Sequence, residues 1–328
     1  MTALAPLLQA FFTDRLGQRG SSPNTVIAYR DTWRLLLGFV QGRLGVAPFA
    51  LDIGQLDADT IGAFLDHLEH DRGNTVRTRN LRLAAIHSLF DFIALRCPEH
   101  AGTIQQVLAI PTKRTDTSTV TFLTRQEVDA LLAAPDRDTT LGRRDHLLLA
   151  LAIQTGLRVT EVTSLTWNDI HLGVGAHVLC NGKGRKQRCT PLTKPVAQLV
   201  SDWAREGDHR PTDPVFVSRL GGRLSCDAVT DLLAKHVAVA ARRCPSLATK
   251  KVTPHTLRHT AAMDLLQAGV DTSVIALWLG HASIRSTQTY LHADLTIKER
   301  ALALTAPHAA ARHRYKPADP LLTFLESL

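Results

Sequence analysis

The sequence lacks the features that build disulfide-bonded, zinc-binding and membrane-spanning proteins. Its five cysteines are odd in number and widely spread, and none lies in a C-x-x-C arrangement, so we predict reduced thiols. No apolar run approaches the ~20 residues of a membrane span. Because there is also no P-loop and no cluster of carboxylates, we predict that the protein uses no cofactor and no metal.

A basic start is missing from the amino-terminal stretch MTALAPLLQAFFTDRLG, which soon reaches an acid. It is therefore unlike a secretory signal, and we expect a cytoplasmic protein with no membrane partner. With 328 residues, 45% of them hydrophobic and 21% charged, the composition is that of a folded globular chain rather than a disordered one. The length suits two domains.

Lysine is absent from residues 1–110, which hold ten arginines and ten acids. Subtracting these from the totals of 38 basic and 30 acidic residues leaves 28 basic and 20 acidic residues for 111–328. The net charge of +8 therefore lies wholly in the second part of the chain. Such an excess favours a polyanionic partner.

Apolar residues at helical spacing fill the first hundred positions in four segments, which predict a small all-α domain over residues 1–112. Arg77, Arg79 and Arg82 crowd the amino-terminal end of the last of these helices. That end either faces DNA or is merely solvated. A linker follows at 113–120, where Pro, Thr and Lys replace the apolar periodicity from Pro111 onward.

The second domain, predicted over 121–308, is mostly helical and contains a small antiparallel β-ribbon. Its helices break at a turn formed by Thr155 and Gly156, and two short strands, AHVLC and QRCTPL, are joined by NGKGRK, which carries hairpin signals. Residues 309–328 form a tail. The fold class is therefore mainly α, with a mixed second domain.

The stretch TPHTLRHTAAMDLLQAG, residues 253–269, predicts a helix capped by Thr253 with Pro254 in its first turn. His255, Arg258 and His259 share one face of this helix, at the end where exposed N–H groups favour an anion. The face is either solvated or built for a phosphate.

Three further stretches place reactive side chains at structural breaks. TGLRVTE carries Arg158 and Glu161, NGKGRKQR carries Lys183, and LGHASIRSTQTYLH carries His281 and Tyr290. Each alone has an ordinary structural explanation. Together they suit attack on a phosphodiester without metal, because arginines fork onto phosphate oxygens, a tyrosine oxygen is a nucleophile and a lysine protonates the leaving oxygen.

In this order the motifs T-G-L-R, G-K-G, H-x-L-R-H and L-G-H, followed nine residues later by tyrosine, resemble the catalytic domain of the tyrosine recombinase (phage integrase) family. Cre, the Xer recombinases and lambda integrase are members. The preceding domain, with SPNTVIAYRDTWRLLLGFV, is similar to the family's core-binding (SAM-like) domain. The resemblance thus covers nearly the whole chain and implies the two-domain Xer- or Cre-like architecture.

The resemblance implies a role for each matching residue. Arg158 and Arg258 would clamp the scissile phosphate, Lys183 would be the general acid, and Tyr290 would form a 3′-phosphotyrosyl bond. His255 would accept a proton or donate a hydrogen bond to the phosphate, which His281 would also contact. Glu161 would support Arg158 and His255. The predicted DNA contacts outside this set are Arg77, Arg79, Arg82, Arg185 and Lys186.

The implied partner is double-stranded DNA with an inverted-repeat recombination site, bound by a homodimer or homotetramer, and related recombinases encoded nearby are further candidates. The apolar tail segment PLLTFLESL docks either on its own domain or on a neighbouring protomer. Three alternatives remain at this point: a helix-turn-helix DNA-binding regulator, a type IB topoisomerase and a relative that has lost activity.

Overall fold

A computed structural model describes residues 2–18, 20–115, 120–181, 187–280, 287 and 290. The chain divides into two compact units, Met1–Thr117 and Ser118–Leu328. Within the described residues, no helix is both long enough and apolar enough to cross a membrane.

The first unit consists of helices packed around one apolar core. Side chains cap three of them, since Ser22, Asp57 and Thr75 each accept a hydrogen bond from a backbone N–H of the first turn. Trp33 and Phe64 are among the largest side chains of the core. The helices are α1 (Leu4–Ala10), continued by a π-helical segment (Phe11–Leu16), α2 (Pro23–Leu44), α3 (Ala58–His70), α4 (Val76–Ile93) and α5 (Ala101–Leu108).

The four helices predicted for this unit are therefore confirmed, and α5 is an addition. It lies where the apolar periodicity fades, and with 8 residues it is too short to give a clear helical pattern. Ile104 and Val107 nevertheless fill the core of the unit. The packing of the unit, rather than local propensity, accounts for this helix.

The second unit is mostly helical, as predicted. Its central helix, α7, is buried along most of its length, from Leu147 to Ile153, and forms the middle of the core. The described helices are α6 (Arg125–Leu132), α7 (Thr140–Thr155), α8 (Val159–Ser164), α9 (Lys194–Ala204), α10 (Cys226–Ala240), α11 (Pro254–Gln267) and α12 (Thr272–Leu279).

A three-stranded antiparallel sheet packs beside these helices in the order β1 (Ile170–His171), β2 (His177–Asn181) and β3 (Gln187–Pro191). The β2–β3 ribbon was predicted, and β1 adds two residues to its edge. In the register of the ribbon, Cys180 lies opposite Arg188. Arg188 of β3 contacts Glu161 of α8.

Candidate active site

Helix α11 begins as its sequence predicts. The Thr253 hydroxyl accepts a hydrogen bond from the Thr256 N–H at 3.3 Å, and Pro254 occupies the first turn. The predicted polar face is graded in depth: His255 is exposed, His259 is half-buried and Arg258 is buried. A merely solvated face would leave its arginine exposed. The decrease in solvent exposure from His255 to Arg258 therefore indicates a site that is open to solvent at His255 and buried at Arg258.

Arg258 is held by main-chain carbonyl groups. Its Nη1 donates to the Gly156 oxygen at 2.7 Å and its Nη2 donates to the Leu279 oxygen at 2.6 Å. Burial, and then the nearby positive charge of Arg158, lower the pKa of Arg258 to about 10. The guanidinium thus stays charged at neutral pH without a carboxylate partner in these contacts, as an anion-binding site requires.

Gly156 is required at the turn where α7 ends. Its φ of 65° is in the left-handed region, and a Cβ there would lie 2.6 Å from Leu279 Cδ2 and 3.1 Å from Ala261 Cβ. Glycine therefore allows α7 to stop in contact with α11 and α12. This close approach brings the Gly156 carbonyl within hydrogen-bonding distance of the Arg258 guanidinium.

Arg158 follows two residues later, at the amino-terminal end of α8. Its Nη1 donates to Glu161 Oε1 at 2.9 Å, while its backbone N–H donates to Glu161 Oε2 at 2.8 Å. Its Nη2 donates to the Gly280 oxygen at 3.1 Å. Arg258 donates to the carbonyl of the preceding residue, Leu279. The two arginines predicted to bind the phosphate therefore lie together at the carboxyl-terminal end of α12.

Arg188 of β3 is a site residue that no sequence motif indicates. Both of its terminal nitrogens donate to Glu161, with Nη1 2.9 Å from Oε1 and Nη2 2.6 Å from Oε2. It also lies against Gly280, where a Cβ would come within 2.8 Å of Arg188 Nη1. Arg188 therefore joins the ribbon, the first arginine motif and the end of α12.

Burial raises the pKa of the Glu161 carboxyl, but the hydrogen bonds from Arg188 and the Arg158 N–H, together with the charges of both arginines, outweigh it and hold that pKa below its usual range. Glu161 is thus ionised and hydrogen-bonded to Arg158, the arginine it is expected to support. Within the described residues it makes no hydrogen bond to His255, so that half of its expected role is not found in the structure.

Tyr290 is 2% exposed and packs against Met263, Leu266 and Leu279 among others. Its hydroxyl lies 3.0 Å from Nδ1 of His259. Burial raises the pKa of the phenol, and the charges of Arg258 and Arg158 partly oppose that rise. Tyr290 is thus close enough to both arginines to respond to their charge.

His259 is the histidine that meets the tyrosine. Burial first, and then the neighbouring His255 and Arg258, lower the pKa of His259 to about 4, so its imidazole is neutral at pH 7. The ring of His255 stacks on that of His259 with a centroid separation of 6.4 Å. The two histidines form one row from the exposed end of the site to Tyr290.

The basic end of α4 differs from its prediction. Arg79 is only 6% exposed, and its Nη1 donates to the Pro111 oxygen at 3.0 Å. This burial contradicts a DNA contact by Arg79, whose guanidinium instead ties α4 to the segment after α5. Half-buried Arg82 donates to the Ala28 oxygen and the Thr32 hydroxyl of α2. Of the three arginines, only Arg77 is exposed.

Four predicted site residues, Lys183, Arg185, Lys186 and His281, lie outside the described residues. Among the described ones, no three His, Cys, Asp or Glu side chains gather as metal ligands would. The described site therefore offers two arginines, two histidines and a tyrosine. This set can bind a phosphate, stabilise negative charge on it and supply an oxygen nucleophile.

Family models match both units. The "Phage integrase family" model matches residues 121–296, and the "Phage integrase, N-terminal SAM-like domain" model matches residues 8–96. Among curated proteins, the chain is 53% identical over 327 residues to a putative integrase/recombinase, y4rC, of Sinorhizobium fredii, covering 99% of this chain and 98% of the relative. It is 31% identical over 310 residues to the tyrosine recombinase XerD of Pseudomonas putida, covering 92% and 97%.

Solved structures with the same fold include recombinases captured on DNA. The chain resembles the XerH site-specific recombinase bound to a palindromic difH substrate in a post-cleavage complex, with a TM-score of 0.67, 21% identity and coverage of 87% of this chain and 81% of that one. It resembles the Tn1549 transposon integrase in complex with transposon right end DNA, with a TM-score of 0.68, 16% identity and coverage of 93% and 99%. At these identities the likeness is one of fold.

Proposed function

The chain belongs to the phage integrase family of tyrosine recombinases and is an enzyme that breaks and rejoins DNA strands, and on this premise we propose that Tyr290 is its nucleophile. The DNA strand is cut by transfer of its 3′ phosphate to the Tyr290 hydroxyl, which releases a free 5′ oxygen. Rejoining is the reverse transfer to a 5′ hydroxyl from a second strand.

Arg158 and Arg258 bind the scissile phosphate in this proposal. Their guanidinium groups are fixed by carbonyls and a carboxylate, so they can stabilise charge that develops on the phosphate without first reorganising. His255, at the exposed end of α11, donates a hydrogen bond to the same phosphate, and His281 contacts it too. Lys183 protonates the departing 5′ oxygen.

The observation that carries the proposal is the buried tyrosine hydroxyl beside His259, under the influence of both arginines. Neither a helix-turn-helix regulator nor an inactive relative needs a buried arginine, held by main-chain carbonyls in its described contacts, next to a buried phenol. We further propose that Met1–Thr117 is the core-binding unit, that Arg77, Arg185 and Lys186 contact DNA, and that dimers or tetramers assemble on inverted repeats in the cytoplasm.

A nicked suicide DNA substrate tests the assignment, because loss of a short fragment after cleavage traps the covalent protein–DNA adduct. The wild-type protein should form this adduct in EDTA and without ATP, and Tyr290→Phe should form none while binding DNA as before. Tyr29→Phe is the matched control, since Tyr29 lies in α2 and stacks on Phe11. An adduct from Tyr290→Phe would refute the assignment.

A further inference from the structure

The Tyr290 hydroxyl must lose its proton when it attacks phosphorus, and the nearest described acceptor is on helix α11. Nδ1 of His259 lies 3.0 Å from the hydroxyl, within hydrogen-bonding distance. His255, the other candidate on this helix, is one turn nearer to solvent, and its ring contacts His259 rather than the hydroxyl among the described contacts. His255 and His259 of α11 and the hydroxyl of Tyr290 thus lie in this order from the exposed end of the site inward.

From this geometry we propose that His259 is the general base that accepts the proton of Tyr290 during cleavage, an inference that rests on the proposed function of Tyr290. His255 is then left to contact the phosphate. Arg258 and His259 are adjacent on the helix but point in different directions. Arg258 faces the phosphate-binding side, where the electrophilic phosphorus is bound, and His259 faces the nucleophile, Tyr290.

The proposed step balances in atoms and charge. A lone pair of Tyr290 Oη forms the bond to phosphorus, the O–H bond breaks, and its proton moves to Nδ1 of His259, which becomes imidazolium. The bond between phosphorus and the 5′ oxygen breaks, and that oxygen leaves with the electron pair and takes a proton from Lys183. In rejoining, His259 returns its proton to the tyrosine oxygen as that oxygen leaves.

The charges around His259 make its pKa depend on whether DNA is bound. In the site without DNA, burial and the charges of His255 and Arg258 lower the pKa of His259, while burial raises that of Tyr290, so the phenol keeps its proton. A DNA phosphate bound by Arg158 and Arg258 adds a negative charge that offsets the positive charge of Arg258 and raises the proton affinity of His259. The nucleophile is therefore activated only when its target is present.

The test compares His259→Asn with the wild-type protein in single-turnover cleavage of the suicide substrate. Asparagine places an amide near the position of Nδ1 and keeps a hydrogen bond to Tyr290, but it cannot accept a proton. Adduct formation should slow by about 10²–10⁴-fold, the usual contribution of general acid–base catalysis, while DNA affinity in gel shifts stays unchanged. His259→Gln serves in the same assay if the asparagine variant fails to bind DNA.

A second measurement separates a base from a structural contact. Replacing Tyr290 by a fluorinated tyrosine, whose phenol is more acidic, removes much of the need for a base. It should restore cleavage to His259→Asn far more than it accelerates the wild-type protein, and should give no rescue of His255→Asn. Cleavage by His259→Asn should also keep rising with pH as the phenol ionises, whereas the wild-type rate levels off.

Wild-type cleavage by His259→Asn, or rescue of His255→Asn instead, would overturn the inference. Tyr290→Phe is included in the same series, because adducts from that variant would mean that the proposed nucleophile itself is wrong. If Tyr290→Phe is inactive and His259→Asn is fully active, the nucleophile stands and only the assignment of the base fails.

Discussion

Replacing Arg188 should lower the free energy of unfolding, because Arg188 is one of two arginines that neutralise the buried Glu161 carboxylate. Glu161 is 6% exposed and accepts hydrogen bonds from Arg158 and Arg188. Arg188→Met keeps much of the side-chain volume but leaves the carboxylate buried with one guanidinium instead of two. Removing one partner of a buried ion pair costs about 3–5 kcal/mol, and we expect the lower end, about 3 kcal/mol, because Arg158 remains.

The loss should be measured by urea unfolding at neutral pH, against two matched variants. Arg205 pairs with Asp202 at 2.8 Å on the surface, with its side chain 70% exposed, so Arg205→Met should cost less than about 1 kcal/mol. The double variant Arg188→Met with Glu161→Gln should be destabilised less than Arg188→Met alone, since the uncompensated charge is gone.

The effect should also depend on pH in a defined direction. The wild-type Glu161 pKa is lowered, so this group stabilises the fold above its ordinary pKa of about 4.3, and that contribution is lost as the pH falls through the folded value. In Arg188→Met, burial should raise the Glu161 pKa, and protonation then relieves the buried charge. The stability difference should therefore narrow between pH 7 and about pH 4. An equal difference at both pH values would refute the reasoning.

Two further predictions concern the turn after α7 and the leaving group. Gly156→Ala should destabilise the protein by about 1–3 kcal/mol more than Gly175→Ala, because both glycines have positive φ but only the first would meet Leu279, with nothing within 4 Å of the second. Equal losses in urea unfolding would count against the close packing. Lys183→Ala should slow cleavage by about 10²–10⁴-fold, and a substrate with sulfur at the 5′-bridging position should restore the rate, whereas failure of this rescue would move the acid role to Lys186.

Local signals explain how much of the site the sequence could predict. Thr253, Pro254 and Gly156 act through capping and turn rules that involve few neighbours, and the structure has them as predicted. Arg158 and Glu161 lie three residues apart at a helix start, so their pairing also follows from local spacing. These are the residues whose partners are close in sequence.

The site and fold features that the sequence did not predict depend on contacts between residues far apart in the sequence. In the sequence, Arg188 follows a basic hairpin and is indistinguishable from a solvent-exposed arginine. Its partner, Glu161, lies 27 residues earlier in the chain. Arg79 shares a helix end with exposed Arg77, but the chain returns 32 residues later and buries it against Pro111. The contact of His259 with Tyr290 likewise spans 31 residues and needs the tertiary fold.

Mapping the covalent bond by mass spectrometry tests the central claim most directly. The adduct trapped on the suicide substrate is digested with protease and nuclease, and the peptide that keeps a nucleotide is sequenced. The proposed mechanism predicts a 3′-phosphonucleotide on the oxygen of Tyr290 and on no other residue. A nucleotide on Tyr29, Tyr315 or a serine, or a phosphate joined through its 5′ oxygen, would contradict it.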